Sequence, residues 1–150
     1  MKTIYLAGFD VFAPDARQRG VQMKMMCAER GLVGLYPLDN EAGNASAIFA
    51  GNCALIDRAD AVIANLNPFR GAEPDSGTCF EVGYAFAKGK RVYAYLSDTR
   101  TMRQKLGQTD KDGFSVEDFG LPLNLMLASA ATLVKGGFAE ALAVFLAEQA

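Results

Sequence analysis

The sequence predicts an α/β fold: five parallel strands in one sheet, with helices covering both faces. Short, β-branched apolar runs alternate with helical stretches along the chain. Alternation at so short a period is the pattern of a buried parallel sheet with helical crossovers. A length of 150 residues, 51% of them hydrophobic, suits one domain that buries a core without metal or disulfide staples. No internal repeat, low-complexity tract or linker divides it, so residues 1–150 read as a single domain.

The elements follow in order. "TIYLAG" (3–8) is a buried strand ended by Gly8. From 14 to about 30 the positions Val21, Met25 and Ala28 recur at helical spacing, with Gly31 as the stop. "LVGLYPL" (32–38) is a second strand closed by Pro37. Residues 44–58 read as a helix with Ile48, Cys53 or Ala54, and Leu55 inward. "ADAVIANLNP" (59–68) is a third strand, 76–88 a helix stopped by Gly89, and "RVYAYLSD" (91–98) a fourth strand. Residues 99–120 are polar and Gly-containing, with "GQTDKDG" (107–113) read as a mobile loop. A short helix in 121–130, a fifth strand at 131–136 and an Ala-rich helix at 137–149 complete the chain. Five such strands suit a flavodoxin-like doubly wound domain. In that architecture ligands bind beyond the carboxyl ends of the strands, near the switch in strand order. Phe9, Asp10, Asp39, Asn40, Arg70, Asp75 and Glu81 fall there.

Composition removes several function classes. The formal net charge is -2 and Lys and Arg are scattered, so no electrostatic grip on nucleic acid or an anionic membrane is expected. The apolar start, "MKTIYLAGFDVF", is too short for a membrane span, and no signal-peptide cleavage site follows it. Three cysteines, Cys27, Cys53 and Cys79, have no metal-like spacing and read as reduced thiols of a cytoplasmic protein. The chain has no histidine, which removes Ser-His-Asp and Cys-His activation and His-based metal sites. No cofactor is expected. Chemistry must rest on carboxylates, hydroxyls, amides or backbone.

Glu81 admits two readings. "TCFE" (78–81) fits a capping box in which Thr78 caps a helix and Glu81 returns a bond to it. Alternatively Glu81, with an ordinary pKa of about 4.3, is an anion at neutral pH that attacks an anomeric carbon without a helper base. Asp75 would then assist the leaving group or hold a sugar hydroxyl, the division of labour of retaining glycosyl transfer. The adjoining "NPFRGAEPDSGT" (67–78) carries more polar side chains than a simple connection needs. Gly77 allows close approach of backbone or ligand.

Together "YLAGFDVF", "YPLDN", "IDRADAVIANLNPFRGAEPDSGTCFEVGYAFAKGK" and "LPLNLM" resemble the nucleoside 2-deoxyribosyltransferase family, from strand one to about residue 126. The resemblance implies transfer of 2-deoxyribose between nucleobases by a ping-pong route, with 2′-deoxynucleosides and free bases as partners. It implies a homo-oligomer with sites completed by a neighbouring subunit. It makes Glu81 the nucleophile, Asp75 the acid six positions before it, and Tyr5 the group that orients Glu81. Asn124 and Met126 match residues lent to a neighbour's site, and Phe9 an aromatic residue near the base. Asn52 stands about where some members have an aspartate that helps to hold the substrate, and Glu41 where some have glutamine. Gly8, Asp39, Arg70 and Gly77 join the substrate-binding set. Singly, Asn52 also fits an exposed helix face, Met126 core filling, and Arg70 a surface pair with Asp75 or Glu73.

Two alternatives remain open. A 2′-deoxynucleoside 5′-monophosphate N-glycosidase is favoured by Arg70 and Ser76 and disfavoured by the acidic "GFDVFAPD" loop (8–15). A non-catalytic flavodoxin-like module, such as a receiver domain, fits the size and Lys135. It lacks an acid where Asn65 or Asn67 ends strand three.

Overall fold

The five apolar runs pair as expected in the computed structural model, which describes residues 1–150. The strands are β1 (Thr3–Ala7), β2 (Val33–Leu35), β3 (Ala61–Asn65), β4 (Arg91–Leu96) and β5 (Thr132–Lys135). All pairs are parallel, in the order β2-β1-β3-β4-β5, so the fold is the doubly wound one and its switch lies between β1 and β3. β3 is buried along its whole length, which explains its unbroken apolar sequence.

Helices α1 (Ala16–Ala28) and α6 (Phe138–Gln149) cover one face. Their core joins Ile4, Leu6, Ile63 and Tyr93 to Cys27, Leu142 and Phe145. Helices α2 (Ala45–Arg58), α3 (Ser76–Ala87) and α5 (Leu125–Ala130) lie on the other side. There Tyr5, Val62, Ala64 and Val92 meet Ile56, Val82 and Leu123.

Two expectations are corrected and one is extended. Val21 and Met25 face solvent rather than a core. The inward stripe of α1 is Ala16, Gly20 and Cys27, small residues that let the Tyr36 ring lie on the helix. The Tyr36 hydroxyl donates to the Ala16 carbonyl at 2.9 Å. In α2 it is Leu55 and Ile56 that are buried, while Ile48 and Ala54 are exposed. Segment 99–120 is more than its loop at 107–113, which has no helix or strand. It holds α4 (Met102–Leu106), started by a capping box in which Gln104 N donates to Thr101 Oγ1 at 3.1 Å and Thr101 N to Gln104 Oε1 at 2.9 Å. An antiparallel bridge joins Thr109 to Ser115. No helix is long and apolar enough to cross a membrane.

The α1–Tyr36 contact yields a direct expectation. A Cβ on Gly20 would lie 2.6 Å from Tyr36 Cδ2, inside van der Waals contact. Gly20→Ala is therefore expected to destabilise the fold by about 1–3 kcal/mol, despite alanine's better helix propensity, as read from a lower urea midpoint.

Candidate active site

The carboxyl ends of β1 and β3 come together because Gly8 has no side chain. A Cβ there would meet Asp10 Oδ2 at 2.6 Å and Asn65 Cβ at 2.8 Å. Asp10 is buried just past β1. Asn65 Nδ2 donates to its Oδ2 at 3.1 Å, and Arg19 Nη1 to its Oδ1 at 3.2 Å. This fixes a single-turn 3-10 helix, Phe9–Phe12, that brings Val11 and Phe12 beside α2 and α3.

Asp75 caps α3. Its Oδ2 accepts from Thr78 N at 3.0 Å and from Thr78 Oγ1 at 2.7 Å. Thr78 is thus a buried residue inside the helix, and the capping-box reading of Glu81 fails. Glu81 instead turns toward β1, where the Tyr5 hydroxyl donates to Glu81 Oε2. Tyr5 is fully buried, in register between Leu35 of β2 and Val62 of β3. The nucleophile candidate is therefore held from the floor of the sheet.

A cavity of about 420 Å³ opens over this pair. α3 and its cap supply Asp75, Gly77, Phe80 and Glu81; α2 supplies Phe49, Asn52, Cys53 and Ile56. Gly8, Val11 and Phe12 close the β1 side, and Pro37 the β2 side. The mixture of apolar and aromatic walls with a few convergent polar groups is the usual make-up of a small-molecule site. Burial pushes the Glu81 carboxyl up to about 7, Asp75 adds to the rise, and the Tyr5 hydrogen bond opposes it. Glu81 thus departs from the ordinary carboxylate range assumed from sequence. The Tyr5 phenol is driven far above its usual value, by burial first and Glu81 next, so it remains a donor.

Five of the residues expected from sequence line the cavity: Gly8, Asn52, Asp75, Gly77 and Glu81; Tyr5 stands behind the last. Others lie elsewhere. Phe9 stacks on Phe69, ring centroids 4.8 Å apart. Asp39 closes the turn after β2, accepting from Tyr36 N at 2.9 Å and Lys24 Nζ at 2.5 Å. Arg70 makes no ion pair with Asp75 or Glu73. Its backbone is in the left-handed region, φ 53°, and its guanidinium sits over the rings of Phe69 and Phe12 at 4.5 and 5.1 Å. Asn124 caps α5, accepting from Met126 N at 2.9 Å. Met126 is 73% exposed, not core filler, and neither residue lines this cavity.

The aromatic walls were not foreseen. Their signal is spacing: Phe49, Asn52, Cys53 and Ile56 recur at i, i+3, i+4 and i+7, and Gly77, Phe80 and Glu81 at i, i+3 and i+4. Each set is one helix face: that of α2 adjoins its buried stripe at Ile56, and that of α3 lies beside Thr78, Val82 and Ala85.

A sequence model described as nucleoside 2-deoxyribosyltransferase matches residues 4–126. The chain belongs to the nucleoside 2-deoxyribosyltransferase family. Every residue of the cavity, and Tyr5, Asn124 and Met126 besides, falls within the matched span. A 2-deoxyribosyltransferase from Leishmania mexicana is 42% identical and superposes with a TM-score of 0.92, all of each chain being covered. A 2-deoxyribosyltransferase from Bacillus psychrosaccharolyticus shares the fold at 17% identity and a TM-score of 0.62, over 89% of this chain and 86% of that one. Among curated proteins, an uncharacterized Schizosaccharomyces pombe protein is 34% identical over 113 residues, 69% of this chain. This chain spans about half (54%) of that relative's length.

Proposed function

We propose that this family member transfers 2-deoxyribose between nucleobases through a covalent ester on Glu81. The observation that carries the proposal is the Glu81 carboxylate, enclosed in a ligand-sized cavity, freed from any capping duty and oriented by the Tyr5 hydroxyl. In the first half-reaction a Glu81 oxygen bonds to C1′ as the C1′–N bond breaks. The bonding pair leaves with the base, which takes up a proton. In the second, a nitrogen of the incoming base bonds to C1′ and gives up its proton, balancing the one the first base took up, and Glu81 departs as carboxylate. Two inversions give net retention. Asp75, which lines the same cavity while its Oδ2 caps α3, holds a sugar hydroxyl or assists the departing base. Asn124 and Met126, exposed on the α3–α5 side, would complete the site of a second copy.

The test is an exchange assay with 2′-deoxyinosine and free adenine, following deoxyadenosine by chromatography. Product formation supports transfer. Base release from 2′-deoxynucleoside 5′-monophosphates alone would replace it with hydrolysis, a reading the engaged Arg70 guanidinium does not favour.

The pH profile is expected to report Glu81. Only the anion attacks, so kcat/KM should rise with an apparent pKa near 7. Tyr5→Phe removes the bond that favours the anion, so its ascending limb should move to higher pH. Its plateau should drop by about 10- to 100-fold, the scale of a hydrogen bond to a charged group. A limb that stays in place while activity falls would mean Tyr5 acts on something other than Glu81.

A further inference from the structure

Arg70 is the exposed cation of the loop between β3 and α3. Glu73 and Asp75 follow it by three and five positions, yet neither forms an ion pair with it. Its backbone holds φ 53°, a left-handed conformation that glycine or asparagine takes more easily than arginine. The loop is closed by its own backbone, Phe69 N donating to the Glu73 carbonyl at 2.9 Å. A long cationic side chain held in that turn without a counter-charge is explained by what it covers.

It covers a stack of rings. The guanidinium lies over Phe69 and Phe12, and Phe69 stacks on Phe12 with centroids 5.7 Å apart and planes 14° from parallel. Phe9, at the other end of the same 3-10 turn, stacks on Phe69 as well. Of these residues Phe12 alone lines the cavity. Core packing does not hold its ring, which is 57% exposed. Its orientation therefore depends on Phe69 and on the cation above both rings.

We propose that Arg70 is a positioning residue: it clamps Phe12 in the orientation that walls the cavity, and so sets how tightly a nucleoside is held. It does this without touching the ligand. The Phe12 ring offers neither charge nor hydrogen bond, so its surface favours bound substrate and transition state alike. Loss of the clamp is therefore read in affinity and KM, with kcat kept. The inference rests on the deoxyribosyl-transfer reading for its ligand, a 2′-deoxynucleoside.

The experiment measures calorimetric Kd for 2′-deoxyinosine and its 5′-monophosphate on Glu81→Gln protein, which holds the nucleoside without turning it over. Adding Arg70→Asn should raise both values by about 3- to 10-fold, the scale of exposed cation–π contacts. With Glu81 intact, KM for 2′-deoxyinosine in base exchange should rise by the same factor while kcat stays within about twofold. Asparagine suits the left-handed backbone, so the urea midpoint should not fall. Should this variant fail to fold, Arg70→Gly takes its place. Arg70→Lys keeps a cation over the rings and should recover part of the loss. The decisive arm is a cycle with Phe12→Ala. In that background Arg70→Asn should change Kd by less than about twofold, because the clamp has nothing left to hold. An unchanged Kd in folded variants, a loss that persists without the Phe12 ring, or a loss confined to the 5′-monophosphate overturns the proposal. Weaker binding in Arg70 variants of a protein that shows no exchange would sink deoxyribosyl transfer and leave the clamp standing; exchange with unaltered binding would do the reverse.

Discussion

Glu81→Gln is expected to lose base exchange by at least about 10³-fold, the scale on which loss of a nucleophile is felt, and to gain stability at pH 8. The amide has the same shape and can still accept from the Tyr5 hydroxyl, so packing is preserved. The gain follows from linkage. Glu81 titrates at about 7 in the folded chain, against an ordinary value of 4.5. The folded state thus holds this proton more tightly than the unfolded one. Stability from this group is fully present below about pH 4.5 and is lost as pH rises through 7. The difference is worth about 3 kcal/mol. Glutamine does not titrate, so urea unfolding should show the variant more stable than wild type at pH 8, with the gap closing toward pH 4.5. A residue kept at that cost on the alkaline side is kept for chemistry. Equal stability at both pH values would return Glu81 to an ordinary surface carboxylate.

Asp75 separates differently, because one carboxylate both caps α3 and faces the cavity. Asp75→Ala removes the acceptor for Thr78 N and Oγ1 and should cost about 0.5–2 kcal/mol of stability, together with exchange. Asp75→Asn keeps a cap oxygen, so its stability should stay within about 0.5 kcal/mol of wild type. Exchange should still fall by about 10²-fold or more. The pH profile adds a sign. Asp75 helps to raise the Glu81 value, so Asp75→Asn should shift the ascending limb to lower pH, opposite to Tyr5→Phe. An Asn variant with full activity would reduce Asp75 to its cap.

The five-stranded parallel sheet and the end of it at which the cavity opens were legible because parallel strands are apolar throughout and their carboxyl ends are where polar residues collect. Tyr5, Glu81 and Asp75 could be singled out from the resemblance. Spacing alone could not choose between nucleophile and cap for Glu81, since Thr78 and Glu81 satisfy a capping pattern while Asp75 in fact supplies the cap. That decision lies in which carboxylate reaches Thr78 N first, a matter of loop 66–75 rather than of helix pattern. The inward face of α1 was missed for a related reason. Glycine and alanine bury well against an aromatic ring, yet apolar periodicity gives weight to Val21 and Met25. Phe9 and Arg70 were placed at the site by their position along the chain, but ring stacking with Phe69 draws both away from the cavity.

All twelve residues lining the cavity lie between Gly8 and Glu81. The later half of the chain, β4, β5, α4 and α6 included, contributes none and acts as a buttress that keeps β3 from being an edge. On the ribosome the cavity's own groups are all synthesised before the outer half of the sheet, β4 and β5, that backs them. From the later half only the exposed start of α5, with Asn124 and Met126, is proposed to meet substrate, and that in a second copy.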